Sequence, residues 1–124
     1  MKLNLDVVPK DLDDAVKLII EGIEEEEREE FNDPVGLHFS FGMYLRNNWS
    51  LWDKENRLVK WFVEKLGIIH ADDISSTILS AVSASLKKES FNPSEHVQYY
   101  INYWLENGLN PKTMDKIDDG LQGK

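Results

Sequence analysis

Two short stretches of this chain bring together side chains that could do chemistry. The first is His70-Ala71-Asp72-Asp73, an imidazole beside two carboxylates, the residue types of metal ligation and acid–base catalysis. Its spacing supports neither. Asp72 and Asp73 are neighbours whose side chains need not converge, whereas a metal site needs three or four ligands that do. One aspartate is accounted for as the cap of a following helix, the other as a charge partner for Arg46. His38 and His96 lie in other segments without ligand-like spacing, so no metal and no cofactor is expected. The second stretch is Arg46-Asn47-Asn48-Trp49-Ser50-Leu51-Trp52. Two indoles and a guanidinium this close can stack a ring and clamp a carboxylate or phosphate. They can equally mark a helix turning into the core, with a loop carbonyl meeting the buried indole N–H.

A third feature is charge. The chain of 124 residues carries a formal −9, with 14 basic residues against 23 acidic ones. Residues 1–33 hold four basic and twelve acidic residues, −8, and residues 34–124 hold ten and eleven, −1. The excess is chiefly Asp11, Asp13, Asp14 and the run Glu24-Glu25-Glu26-Glu27-Arg28-Glu29-Glu30. Such a balance argues against a binder of nucleic-acid phosphates, which relies on basic side chains. On a helix running to Phe31, Glu25 would repel Glu29 and Glu26 would repel Glu30, by roughly 0.2–0.5 kcal/mol each. The same carboxylates would face the negative end of the helix dipole. A helix shaped only for stability would carry lysines there, so a functional acidic surface is one reading and a solvated face the other.

The elements that must hold these groups read as helices. Asp11 can cap a first helix with the stripe Leu12, Val16, Ile19, Ile20 and Ile23. Asn32-Asp33-Pro34-Val35-Gly36 breaks the chain, and a second helix runs from Leu37 to about Asn47 with Leu37, Phe41, Tyr44 and Leu45 inward. Gly42 within it points to close packing. A third helix spans about Lys54 to Leu66, ended by Gly67, and Asp72 or Asp73 caps a fourth carrying Ile74, Ile78, Leu79, Val82 and Leu86. Asn92, Pro93 and Glu95 make the clearest start signal, for a fifth helix presenting Val97, Tyr100, Ile101, Trp104 and Leu105 and stopping at Gly108. Tyr99 and Tyr103 form a second aromatic stripe on that helix, a candidate homodimer surface. Lys2–Val7 alternates in the manner of an edge strand or an extended arm. The sum is an all-α bundle of about five helices over residues 1–110, with 111–124 a short helix or frayed tail. With no cysteine, no signal-like stretch and no apolar run of about 20 residues, a cytoplasmic protein is expected.

The stretch from Gly42 to Trp52, followed by Gly67-Ile68-Ile69-His70-Ala71-Asp72-Asp73-Ile74-Ser75 and Ile78-Leu79, resembles a small bacterial and phage family known only as a domain of unknown function. Its pattern is a leading proline with an acidic amphipathic helix, then G-x-x-x-R-N-x-W-x-L-W, then H-x-D-D-I/M-S. The likeness covers about Pro9 to Leu86. Ala71 stands where proline is usual and Ser50 where glycine is usual. The resemblance implies no activity. It marks Arg46, Asn47, Trp49, Trp52, His70, Asp72 and Asp73 as a surface that either forms a site or holds the fold.

Two functions follow as expectations. One is a protein-binding module of inhibitor or immunity type, engaging a basic partner through Glu24, Glu25, Glu26, Glu27, Glu29 and Glu30, without direct contact to nucleic acid or membrane. The other is a small ligand-binding domain or enzyme centred on the two motifs. The second requires a cleft joining them, and it weakens if Arg46 is closed in a bridge to Asp72 or Asp73.

Overall fold

Asp11 has extended backbone, and its Oδ1 accepts the Asp14 N–H at 2.8 Å, opening helix α1, Leu12–Gly22. A computed structural model describes residues 3 and 6–117. α1 buries Leu12, Ala15 and Ile19, while Val16 and Ile20 flank that line half-buried. It stops at Gly22 and does not run on to Phe31. Ile23 turns to extended backbone with its side chain in the core, and Glu25–Asn32 then form a separate 3-10 helix whose buried anchor is Phe31. The physical reason lies in the sequence: Glu24–Glu30 offers no apolar stripe to continue α1, while a new N-terminus welcomes carboxylates.

Asp33 accepts the Gly36 N–H at 3.0 Å and starts a bent rod: α2 (Pro34–Leu37), a π turn (His38–Gly42) and α3 (Met43–Asn48). Phe41 and Leu45 are buried as the periodicity predicts, but Tyr44 is exposed and Leu37 only half-buried. α4 spans Arg57–Leu66, with Asn56 as its cap, and ends on Gly67 in the left-handed conformation (φ 77°). The third helix thus starts three residues after Lys54, which lies in the preceding turn.

α5, Ala71–Leu86, is the axis of the domain. It touches α1, the 3-10 helix, every part of the bent rod and α6. Being surrounded, it is buried on nearly all sides, and small residues such as Ala71, Ser75, Ala81 and Ser83 let its neighbours approach. Two of its buried hydroxyls bond within the helix: Ser75 donates to the Asp72 carbonyl (3.0 Å) and Thr77 to that of Asp73 (2.8 Å). α6, Pro93–Glu106, starts as the sequence predicts, with Asn92 Oδ1 accepting the Glu95 N–H at 3.2 Å. Val97 is its buried residue, Tyr100, Ile101 and Trp104 are half-buried, and Leu105 is exposed rather than inward.

With the bent rod taken as one unit, five helical rods and a 3-10 helix make an all-α fold. Among the described residues the β pairing is one isolated bridge, Leu109 to Lys116. It closes a turn at Pro111–Thr113, where the sequence suggests a short helix, and Ile69 N–H is held by the Pro111 carbonyl at 2.9 Å. The tail from Asp118 lies outside the described residues, as do positions 2, 4 and 5 of the N-terminal arm; Leu3 packs on the core. No helix among the described residues is long and apolar enough to cross a membrane.

Candidate functional site

Arg46 comes from the last turn of α3 and is buried against the first turn of α5. Its Nη1 donates to Ser75 Oγ at 2.8 Å and its Nε lies 3.2 Å from Asp72 Oδ1. Gly42, one turn earlier, makes the room: a β-carbon there would stand 2.9 Å from Arg46 Nη1. The Asp72 side chain is 45% exposed, so half of this ion pair stays in touch with water. A guanidinium closed in this way ties two helices together and is not presented to a ligand.

His70, not an aspartate, caps α5. Its backbone is extended and its Nδ1 accepts the Asp72 N–H at 3.2 Å, which fixes the imidazole with Nδ1 as acceptor. The ring stacks on Trp104 (centroids 5.1 Å, 22°) and meets Trp52 edge-on (6.2 Å, 77°). Asp73 turns inward, and its Oδ2 accepts the Trp104 Nε1–H at 2.7 Å. Burial raises the Asp73 carboxyl above its ordinary range, and the Trp104 hydrogen bond pulls part of that back. Asp72 and Asp73 thus serve different helices, α3 and α6.

The first motif divides between core and surface. Trp49 and Leu51 are buried, whereas Trp52 is 62% exposed and Asn47 is exposed. The Trp49 carbonyl accepts from Asn56 Nδ2 at 2.5 Å, but its indole N–H meets no partner among the described residues, contrary to the loop carbonyl expected for it. A cleft of about 480 Å³ lies between Trp52 and His70, floored by Leu51, Ile69 and Ala71. It joins the two motifs, yet neither Arg46 nor Asp73 lines it. Among the described residues no cluster of three His, Asp or Glu side chains is placed to hold a metal.

A further polar line escaped the sequence pattern. His38 Nδ1 lies 2.8 Å from Ser76 Oγ, and Tyr100 Oη lies 3.3 Å from His96 Nε2. Burial raises the Tyr100 phenol, with the Asp73 charge adding to it, and burial lowers the His96 imidazole. These residues come from three elements with no common motif, so spacing alone carries no signal of them.

The acidic run is the remaining candidate surface. In the 3-10 helix residues three apart are aligned, so Arg28 stands over Glu25 (3.8 Å), and the like-charged neighbours become Glu26 with Glu29 and Glu27 with Glu30 in place of the pairs expected at four-residue spacing. Glu24 and Glu27 close the N-terminus: Glu27 Oε1 accepts the Glu24 N–H at 2.8 Å, and that bond lowers the Glu27 carboxyl below its usual range. Glu25, Glu26, Glu29 and Glu30 are exposed. On the bent rod that follows, Val35, Phe39 and Met43 are exposed by 79%, 77% and 51%. Glu30 also borders a cleft of about 330 Å³ with Phe31, Leu37, Phe41 and Tyr44.

Fold and site together define a small helical domain in which the charged motif residues Arg46, Asp72 and Asp73 tie its own helices together. The chain belongs to the family described as Domain of unknown function (DUF6794), whose model matches residues 8–86. That match ends on the last residue of α5, so Trp104, the partner of both His70 and Asp73, comes from beyond it. No curated protein and no solved structure matches the chain.

Proposed function

We propose that this chain is a protein-binding module that captures a partner with a basic surface through its acidic 3-10 helix. One observation carries the reading. Glu25, Glu26, Glu29 and Glu30 are exposed on an element held in place by buried Phe31, with Arg28 the one basic residue in the run. An ordered row of like charges steers and selects an oppositely charged partner, and its contribution falls with salt. The Glu27 carboxylate is engaged at the helix start by the Glu24 N–H, so the exposed carboxylates of Glu24, Glu25, Glu26, Glu29 and Glu30 carry the remaining negative charge of the run. An inhibitor or immunity-type protein of bacterial or phage conflict, with a basic nuclease or toxin as target, is the finer form of this proposal. The aromatic stripe of Tyr99 and Tyr103, both exposed, is the candidate surface for a homodimer.

The test is capture of a partner from host lysate at low and high salt, with Glu25, Glu26, Glu29 and Glu30 changed to lysine. The wild type should capture a basic protein at low salt and release it at high salt, and the variant should capture none. Equal capture by both, or capture indifferent to salt, sinks the reading.

The Trp52–His70 cleft favours a second reading, a small-ligand site between an exposed indole and an imidazole. The closure of Arg46 on Asp72 and Ser75 takes away the anion clamp which that reading relied on.

A further inference from the structure

We propose that the exposed stripe Val35, Phe39 and Met43, with the aromatic cleft on the same rod, docks a basic amphipathic helix of the partner. This rests on the protein-binding reading above and names the shape of what is bound. The three residues are spaced four apart on the bent rod, so they form one ridge about 12 Å long. Side chains of this size exposed by 79%, 77% and 51% are what a covered face presents when its cover is absent. The π turn His38–Gly42 falls within the ridge, and such turns recur at functional places in helices.

The cleft supplies depth, and it reaches toward the ridge through Ser40, which lines it one turn before Met43. Phe31 meets Phe41 edge-on (5.4 Å) and Phe41 stacks on Tyr44 (5.8 Å), giving aromatic walls around a volume that fits one large apolar side chain. Charge selects the occupant. Glu30 stands at the rim, and Glu26 and Glu29 are exposed on the same 3-10 helix, so lysines or arginines flanking an apolar anchor find partners there. An anionic membrane meets like charge, as does a second copy of a chain of net −9. An amphipathic helix laid into a groove, apolar side down and basic edges out, satisfies both features.

The experiment uses the full chain and a labelled amphipathic Leu/Lys helical peptide, read by fluorescence anisotropy at low and high salt. The comparison arms are Phe39→Ser with Met43→Ser, Glu26→Gln with Glu29→Gln and Glu30→Gln, and Tyr99→Ser with Tyr103→Ser. All of these side chains are exposed, and unchanged thermal midpoints show that the fold is kept. The Phe39/Met43 variant should bind about tenfold or more weaker, with its salt dependence intact. The glutamine variant should lose the salt dependence, and the Tyr99/Tyr103 variant should match wild type. Undiminished binding by the Phe39/Met43 variant overturns this proposal while leaving the acidic surface standing. Undiminished salt dependence in the glutamine variant overturns the acidic reading itself. Self-association lost in the Phe39/Met43 variant, or binding of that face to anionic vesicles, also overturns it, by giving the face another occupant.

Discussion

Arg46 occupies the space that Gly42 leaves empty: a β-carbon on Gly42 would stand 2.9 Å from the Arg46 Nη1, closer than such contacts allow. In a helix interior, glycine to alanine ordinarily gains up to about 1 kcal/mol. Here the gain meets a guanidinium already fixed by Ser75 at 2.8 Å and Asp72 at 3.2 Å. Gly42→Ala is therefore expected to destabilise the wild type by about 1–2 kcal/mol through overpacking. In an Arg46→Met background the same change should stabilise. Chemical denaturation of the four proteins gives the coupling directly, and additive effects would show that the two sites are independent.

The two departures from the family pattern lead to stabilising substitutions. Ala71 is the first residue of α5, where proline's fixed φ fits and its missing N–H is not needed. His70 before it has φ −65° and ψ 128°, the region a residue preceding proline adopts. Ser50 has φ 51°, a left-handed conformation that glycine adopts without strain. Ala71→Pro should raise stability by about 0.5–1 kcal/mol, and Ser50→Gly by about 0.5 kcal/mol. Thermal midpoints that fall in either variant would count against these backbone assignments.

Much of the fold was legible because its signals are local. Asn92 followed by Pro93 starts α6, Asp11 starts α1, and Gly67 ends α4, each through a bond or backbone angle set within a turn. The pairing of Arg46 with a following aspartate was legible too, since a buried guanidinium needs a carboxylate and Asp72 is near at hand. The rest depends on geometry between elements. His70 displaced the aspartates as cap because its Nδ1 reaches the Asp72 N–H while Asp72 and Asp73 are drawn to Arg46 and Trp104. The Glu run reads as the strained end of α1 only if α1 continues. A turn at Ile23 makes it a helix start, and the dipole argument reverses sign. On the bent rod the periodicity reads Phe41 and Leu45 as inward and both are buried, but Tyr44 in the same stripe is exposed, a difference set by the neighbouring elements and not by residue type.

Asp73 should leave a signature in the acid limb of stability. Burial raises its carboxyl in the folded state, so the fold binds that proton more tightly than the unfolded chain does. Between the ordinary aspartate value of 3.8 and the raised one, stability from this group falls as pH rises, and the full cost persists at neutral pH. Asp73→Asn keeps an oxygen for the Trp104 N–H and removes the charge. The variant should be more stable than wild type at neutral pH, and the difference should vanish as the pH falls to the ordinary value. Urea titrations across that range decide it, and a variant weaker than wild type at neutral pH would mean that the carboxylate is needed.

His96 works in the opposite sense. Burial lowers its imidazole below 6.5, so the folded state favours the neutral ring while the unfolded chain takes up a proton at its ordinary value. Stability from this group is fully present above 6.5 and is lost as the pH falls from there toward the lowered value. The ring packs against Phe91 (5.2 Å) and Tyr100 (5.5 Å), and Nε2 lies 3.3 Å from the Tyr100 hydroxyl, an apolar setting that disfavours the charged ring. His96→Gln should flatten the pH dependence of the unfolding midpoint just below 6.5 while lowering stability at neutral pH through lost ring contacts. The imidazole can be followed directly by NMR titration. A His96 that titrates at or above its ordinary value, or a variant with an unchanged acid slope, would assign that slope to other groups.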